Sequence, residues 1–522
     1  MKILLSWLND YGDFGDPSDP EVVQRVTNAL TSLGLEVESA EVVGLSVAGV
    51  VTARVVRLEQ HPDAAKVQRV YVDAGDGNER HVWCGAFNLQ PNDVVPLATL
   101  GTTMPDGRTI ERRGILGIDS EGMLCSASEL GLGDDHSGIY ILPAEAALGL
   151  PYGEALGLRP DVLLDADVSR NRPDCWGYVG IARDLAAKLD VEFLPPMPTV
   201  EITGDEQTAP VDIVDGDRCA RFTSTVISGI EVKPSADWMA RRLAAAGMRP
   251  ISNVVDVSNY VMLELNQPNH AYDLKTLGGG GFRVRLAKDG EQLTTLDGEL
   301  RTFTNDDLFI CDGNDVPIGV GGVMGGLDTE ISETTNIVAL EMAWFSLVGI
   351  GQTVTRTNLR SEASARFERG VDPYGMPTAI ARFVELLSET CPRLVVHAGA
   401  VDARTDHLPA EDRSADVRIS AVNRVLGTDL SVDVLSDLLD PIGYTVSGEG
   451  DTRSVVLPTW RLDSTEEIDV IEEVARHYGY ERLGKTEEAI ALFESDQSPQ
   501  RHGNLIRARR LREQRADGAA IE

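Results

Sequence analysis

Basic residues are in short supply. The chain carries 47 Lys and Arg against 83 Asp and Glu, a formal net charge of −36 at pH 7. Holding nucleic acid over a whole surface is thereby excluded, because phosphate binding needs Lys and Arg to displace counterions. Any RNA contact must use local patches or a partner's surface. Close cysteine pairs are also missing. The six cysteines (Cys84, Cys125, Cys175, Cys219, Cys311 and Cys391) lie tens of residues apart, which excludes both a paired-cysteine zinc site and a dense disulfide scaffold. They read as incidental thiols in a reducing compartment. No run of about 18 apolar residues occurs, and the opening Met1 to Asn9 lacks a long apolar segment and a small-residue cleavage site. The expectation is a soluble, cytoplasmic chain with no membrane contact.

What is present is globular. With 522 residues, 42% hydrophobic and 25% charged, the chain is too long for one ordinary core and several domains are expected. The fold class read from the pattern is multidomain α+β. Residues 1–40 form a mixed α/β opening, in which Val22, Val23, Val26, Ala29 and Leu30 predict a helix ending at Gly34. Over residues 41–150 short β-rich runs alternate with Asp76-Gly77 and Pro105-Asp106-Gly107 turns. That spacing predicts a small β-barrel of the oligonucleotide-binding type. Residues 151–405 read as a central α+β domain. Residues 410–485 give strand, short helix, a Gly427 stop and a second helix from about Ser431, a winged-helix-like order. That second helix carries Asp433, Asp437 and Asp440 and no basic residue, which argues against DNA. Residues 486–522 form an Arg-rich tail.

One acidic cluster has metal-ligand character. Ser464-Thr-Glu-Glu467 fits a capping box, and Asp469, Glu472 and Glu473 follow at i, i+3 and i+4, with Asp463 just ahead. Carboxylates grouped in this way suit a hard cation such as Mg²⁺. The same residues also suit plain helix electrostatics, with Glu472–Arg476 and Glu473–His477 pairs at i+4.

Motifs between 259 and 370 carry the most information. Asn259-Tyr-Val-Met-Leu-Glu-Leu-Asn-Gln-Pro-Asn-His-Ala-Tyr-Asp-Leu274 comes first, then Gly-Gly-Val-Met-Gly-Gly at 321–326. Ala-Leu-Glu-Met-Ala-Trp-Phe at 339–345 and Arg-Ser-Glu-Ala-Ser-Ala-Arg-Phe-Glu-Arg-Gly at 360–370 follow. Together they resemble the editing region of the bacterial phenylalanine-tRNA ligase β subunit. His61-Pro-Asp-Ala-Ala-Lys66, Val82-Trp-Cys-Gly-Ala86 and Gly117 to Ser126 are similar to the tRNA-binding barrel of several synthetases. The resemblance runs over roughly residues 1–483.

Such a site has a chemical reason to exist. A phenylalanine pocket discriminates weakly against an isostere that only adds a hydroxyl, so a second, hydrolytic site is useful and needs an acceptor for the phenol. Glu341, set in an apolar run, is that acceptor by the resemblance. Gly322 and Gly325 are expected to form a floor without Cβ atoms in the way. His270 positions the ester or a water, and Ser258, Asn259, Ser361 and Ala363 complete the pocket. Related chains often have Thr where this one has Ser258 and Ser361. No nucleophilic triad is visible near these residues, so hydrolysis is expected to use water, positioning and electrostatics.

The resemblance further implies tRNA(Phe) contact, with Lys66, Arg108, Arg112 and Arg113 as the candidate residues. It implies Mg²⁺ shared with a partner α subunit at Asp463, Asp469, Glu472 and Glu473. It also implies an α2β2 assembly in which α holds the ATP-dependent charging site. No phosphate-cradling Gly-rich loop with Lys occurs in this chain. After residue 483 the family's core-like and anticodon-contacting domains are expected to be lacking. Two alternatives stay open: a free-standing Tyr-tRNA(Phe) deacylase, and a non-enzymatic RNA-binding remnant.

Overall fold

The computed structural model describes residues 1–44, 47–60, 66–115, 118–132 and 136–483. The Arg-rich tail at 486–522, most of the 61–66 motif and Gly117 lie outside them. The chain divides into two compact units, Met1–Glu411 with Thr459–Asp463, and the remainder from Asp412.

The first unit opens with strand Lys2–Leu4. It pairs with Asp161–Asp167, which also pairs with Glu36–Val43 in a three-stranded antiparallel sheet. The predicted helix is Pro20–Ser32, started by an Asp19 cap and a proline in its first turn. Gly34, at φ +82°, follows its end. Residues between the paired strands 36–43 and 161–167 build a five-stranded antiparallel sheet. Its order is Glu79–Cys84, Gln68–Asp73, Val50–Gln60, Val94–Thr99, Gly122–Leu124. Glu121 N–H donates to His81 O at 2.8 Å, tying the chain before the last strand to the first. Val70, Val72, Val82, Val95 and Leu97 form its dry interior.

The central part of this unit is a six-stranded sheet around two long strands, Cys219–Ser228 and Ile337–Phe345. Both read as nearly continuous buried runs, as strands covered on both faces do. Asn269–Asp273 pairs antiparallel with Ile337–Phe345 on its other side. A second five-stranded sheet includes Phe282–Leu286, Leu308–Asp312, Pro317–Val320 and Met324–Gly325. Phe282 packs on Phe222 and Tyr272 of the six-stranded sheet, with ring centroids 5.3 and 5.2 Å apart.

Aromatic and ionic contacts bind distant segments of this unit. Trp7 stacks on Tyr178 at 3.8 Å and on Tyr260 at 4.3 Å. Glu264, fully buried on helix Asn253–Leu265, receives Arg382 through two 2.8 Å bonds and the Tyr11 hydroxyl at 2.6 Å. Every oxygen of that carboxylate is thus compensated, the condition under which a buried charge is tolerated.

The second unit has strand Ser414–Arg418, helix Ile419–Leu426 ending at Gly427 (φ +70°), helix Val432–Leu439, and strands Thr445–Ser447 and Thr452–Val456. Helix Glu467–Tyr478 follows. Its capping box is formed by Glu466 and Asp469, two residues later than the Ser464–Glu467 box read from sequence. Ser464 is fully buried, with its hydroxyl 2.6 Å from that of Tyr444. A core hydrogen bond has taken the side chain that local spacing assigned to the cap.

Candidate functional site

Strand register brings the main candidate residues together. Glu341 stands opposite His270 on one neighbouring strand and opposite Ser224 on the other. Directly opposed residues project from the same face of a sheet, so the three form a row across it. Tyr272, two positions beyond His270, joins that face.

Burial dominates the electrostatics of the row. Glu341 is 6% exposed, and desolvation pushes its carboxyl up to about 7, against a smaller lowering by a hydrogen bond from Tyr272. That bond runs from the Tyr272 hydroxyl to Glu341 Oε2 at 3.0 Å. Burial lowers His270 to about 4, so its imidazole is neutral at pH 7. Its Nε2 is covered and has no hydrogen-bond partner among the described residues, and neither has Ser224 Oγ. The His270 ring meets Tyr272 edge-on at 4.4 Å.

Glycines close the other side. A Cβ on Gly325 would stand 3.0 Å from His270 Cε1 and 3.3 Å from Nε2, so the imidazole lies directly against this backbone. Gly322 has φ +68°, and its Cβ would press on Ile350 at 2.7 Å and Phe345 at 2.9 Å. Ser361 caps helix Glu362–Phe367 and donates its hydroxyl to Val323 O at 2.6 Å, between these glycines. Ser258 donates to Asn269 O at 2.9 Å, and Asn269 Nδ2 returns a 3.1 Å bond to Ser258 O. These two serines therefore brace backbone beside His270 and the glycines. Asn259 and Ala363 are half-buried.

The row offers a carboxylate acceptor, a neutral imidazole and a hydroxyl, without an activated nucleophile. Cys311 is fully buried and its thiol is pushed up to about 12, chiefly by burial, which leaves it inert. A Ser–His–Asp chain does occur elsewhere in this unit. Ser228 Oγ lies 2.7 Å from His397 Nε2, and His397 Nδ1 lies 2.9 Å from Asp205 Oδ1. The Asp205 side chain is 79% exposed, so water competes for it and the buried orienting carboxylate of a nucleophilic triad is missing.

The acidic candidates are engaged within the chain. In the first unit Asp463 is held by Arg461 through 2.9 and 2.7 Å bonds. In the second, Asp469 accepts the Thr465 and Glu466 N–H groups at 2.8 Å. Arg476 lies 2.8 Å from Glu472 and 3.4 Å from Glu473. Among the described residues no group of three or more His, Cys, Asp or Glu is gathered closely enough to hold a metal. As this chain alone holds them, these carboxylates do not fit an ion.

The basic candidates on the five-stranded sheet divide in two. Arg108 pairs with Asp106 at 2.5 Å and Glu129 at 3.7 Å, and Arg112 with Glu121 at 3.5 Å. Lys66 and Arg113 are exposed. Sequence reasoning missed a second strip on this sheet, in which Arg57 lies 3.4 Å above the Tyr71 ring and Arg69 neighbours both Tyr71 and Trp83. Alternating strand positions in register were its only sequence signal.

Comparison with known proteins follows the same segments. Residues 50–151 match the family described as a putative tRNA binding domain, 218–392 the B3/4 domain, and 415–480 the tRNA synthetase B5 domain. A phenylalanine–tRNA ligase beta subunit from Anaeromyxobacter dehalogenans is 43% identical over 489 residues, 93% of this chain. The chain is a relative of the phenylalanine–tRNA ligase beta subunits. The beta subunit of Salinibacter ruber is 37% identical over 98% of this chain, and that of Geobacter metallireducens 39% over 97%. The chain spans 60–62% of the length of these three beta subunits. A solved N-terminal fragment of the Pyrococcus horikoshii phenylalanyl-tRNA synthetase beta subunit is 14% identical. It covers 61% of this chain and 87% of that one with a TM-score of 0.33, too low to bear on the fold.

Proposed function

We propose that this chain acts as a phenylalanine–tRNA ligase β subunit, contacting tRNA(Phe) and hydrolysing Tyr-tRNA(Phe) at the His270–Glu341 row. ATP-dependent charging with phenylalanine then belongs to a partner α subunit. The carrying observation is the buried Glu341 carboxylate opposite a neutral, unpartnered His270. A tyrosine ring entering between the two sheets donates its phenol to Glu341. Phenylalanine leaves Glu341 with Tyr272 as its one donor, and such a mismatch supports discrimination against the ester lacking the hydroxyl. His270, against Gly325, is placed to hold a water or the ester, while Ser258 and Ser361 fix the backbone around it. Asn259 and Ala363 complete the wall.

The rest of the chain serves delivery. We read the five-stranded sheet as a closed tRNA-binding barrel, supported by the Glu121–His81 bond, and the second unit as a winged-helix-like module. Magnesium at Asp463, Asp469, Glu472 and Glu473 would need donors from the α subunit, so no step is routed through it. No helix among the described residues is long and apolar enough to cross a membrane, in keeping with work in the cytoplasm.

The test is deacylation of Tyr-tRNA(Phe) by the chain together with its co-expressed α subunit. Hydrolysis that Glu341→Ala abolishes supports the reading, and a rate equal to the buffer blank rejects it. The native mass of the purified material separates an α-bound subunit from a free-standing deacylase.

A further inference from the structure

Two hydroxyls beside Glu341 have no part in the reading above. An ionised carboxylate only accepts hydrogen bonds, whereas a phenol both donates and accepts. Glu341 alone therefore leaves the lone pairs of a bound tyrosine hydroxyl unmet in a dry pocket, which costs binding. The site needs a donor beside the acceptor.

The row contains one. Ser224 is 1% exposed, stands directly opposite Glu341, and its Oγ has no hydrogen-bond partner among the described residues. It sits inside the buried strand Cys219–Ser228, with the apolar Phe222 and Val226 on the same face. On the opposite face Thr223 donates to Met342 O at 2.9 Å. An unmet hydroxyl in such a strand is a standing cost unless a ligand meets it. His270 Nε2 is the other unpartnered polar atom of the row, but it lies against the Gly325 backbone of the second sheet.

Tyr272 supplies the remaining part. Its hydroxyl occupies Glu341 Oε2 at 3.0 Å, and no residue among those described donates to Oε1. Its ring is wedged between His270 and Phe282, at 4.4 and 5.2 Å, so the donor is held in one place.

We propose that Tyr272 anchors Glu341 through Oε2 and leaves Oε1 for the phenol of the ligand, while Ser224 donates to that phenol's oxygen. The inference rests on the reading that this site takes tyrosine. Ser224 is then a specificity-determining residue that touches the ligand, and Tyr272 a positioning residue that acts through Glu341.

The experiment measures hydrolysis of Tyr-tRNA(Phe) and Phe-tRNA(Phe) by the full chain with its co-expressed α subunit, for wild type, Glu341→Ala, Ser224→Ala, Tyr272→Phe and the Ser224→Ala/Glu341→Ala double variant. The Tyr-over-Phe ratio should fall about tenfold in Ser224→Ala, through KM rather than kcat. It should fall similarly in Tyr272→Phe and collapse in Glu341→Ala, with no further loss in the double variant, since both groups read one hydroxyl. Ser224→Cys, close in volume and only a weak donor, should repeat the loss if Ser224→Ala is poorly folded. A Glu341→Ala collapse with Ser224→Ala, Ser224→Cys and Tyr272→Phe all at the wild-type ratio overturns this proposal and leaves the editing reading intact. Equal rates on both esters in the wild type and no effect of Glu341→Ala overturn the two together.

Discussion

Glu341 and His270 face each other across a pair of antiparallel strands, and the same burial moves them in opposite directions. The acid is raised to about 7 and the base lowered to about 4. Both are thereby favoured in their neutral forms over much of the range in which one would ordinarily be charged.

The first prediction concerns stability and pH. Glu341 has a folded value above its unfolded one, so folding takes up a proton between about 4.5 and 7, and its contribution to stability is fully present below that window and lost as pH rises through it. Glu341→Gln, neutral and of the same shape, should stabilise the chain at pH 8 by on the order of 2 kcal/mol and change little at pH 5. Denaturant unfolding at the two pH values checks it. His270 has the opposite sign: its contribution is lost as pH falls from about 6.5 through 4.

Activity should depend on pH through the same carboxyl. Glu341 accepts a phenol best when ionised, so Tyr-tRNA(Phe) hydrolysis should rise between pH 6 and 8 with an inflection near 7, and Glu341→Ala should remove that inflection. A pH series of kcat/KM reads it directly. Tyr272→Phe removes the hydrogen bond that favours the ionised form and should move the inflection upward.

The two floor glycines should fail differently. In Gly325→Ala the new methyl meets His270 Cε1 at 3.0 Å, and a displaced catalytic group costs about 10²-fold for a shift near 1 Å. A loss of hydrolysis with an unchanged melting temperature is expected. Gly322→Ala places a Cβ at φ +68° and 2.7 Å from Ile350, so stability itself should drop, by about 2 kcal/mol or more.

Salt dependence of tRNA binding sorts the basic residues. Arg108 and Arg112 are already paired with Asp106, Glu129 and Glu121, so replacing either by Ala should change the slope of log K against log salt by well under one. Lys66 and Arg113 form no ion pair among the described residues. If they meet phosphate, each replacement should lower the slope by about 0.7 to 0.9. Filter binding over a salt series distinguishes the pairs.

Breaking the buried ion pair gives a prediction independent of function. Arg382→Ala leaves Glu264 charged, fully buried and held only by Tyr11, which should cost about 3–5 kcal/mol. Chemical unfolding of the variant measures it, and the double replacement of Glu264 and Arg382 by apolar residues should recover much of the loss.

Local patterns were legible where the chain itself makes the decision. The helix stops at Gly34 and Gly427 and the β-rich runs of 50–124 follow from spacing and residue type, whereas Glu341 was picked out by the family resemblance of its motif. Partners chosen through tertiary contact were not. Ser464 reads as a cap until Tyr444 claims its hydroxyl. Ser224 sits in an unbroken buried run, and only strand register reveals that it stands beside Glu341. Arg108 and Arg112 looked like free charge because the carboxylates that neutralise them come from loops and turns folded back upon them. The grouping of Asp469, Glu472 and Glu473 on one helix face and the Glu472–Arg476 pair follow from spacing, whereas the approach of Arg476 to Glu473 depended on rotamers.

The stacking of Trp7 between Tyr178 and Tyr260 has a temporal meaning. The five-stranded sheet draws on residues 50–124, with Ile139, Leu142 and Tyr152 packed against its strands, so all of these parts have been made by residue 152. The partners of the segment that precedes it have not. Lys2–Leu4 waits for Asp161–Asp167, and the indole of Trp7 waits for a ring still further on. During synthesis the oldest part of this polypeptide thus settles only after the sheet that follows it, an apolar end kept open until helix Asn253–Leu265 arrives to cover it.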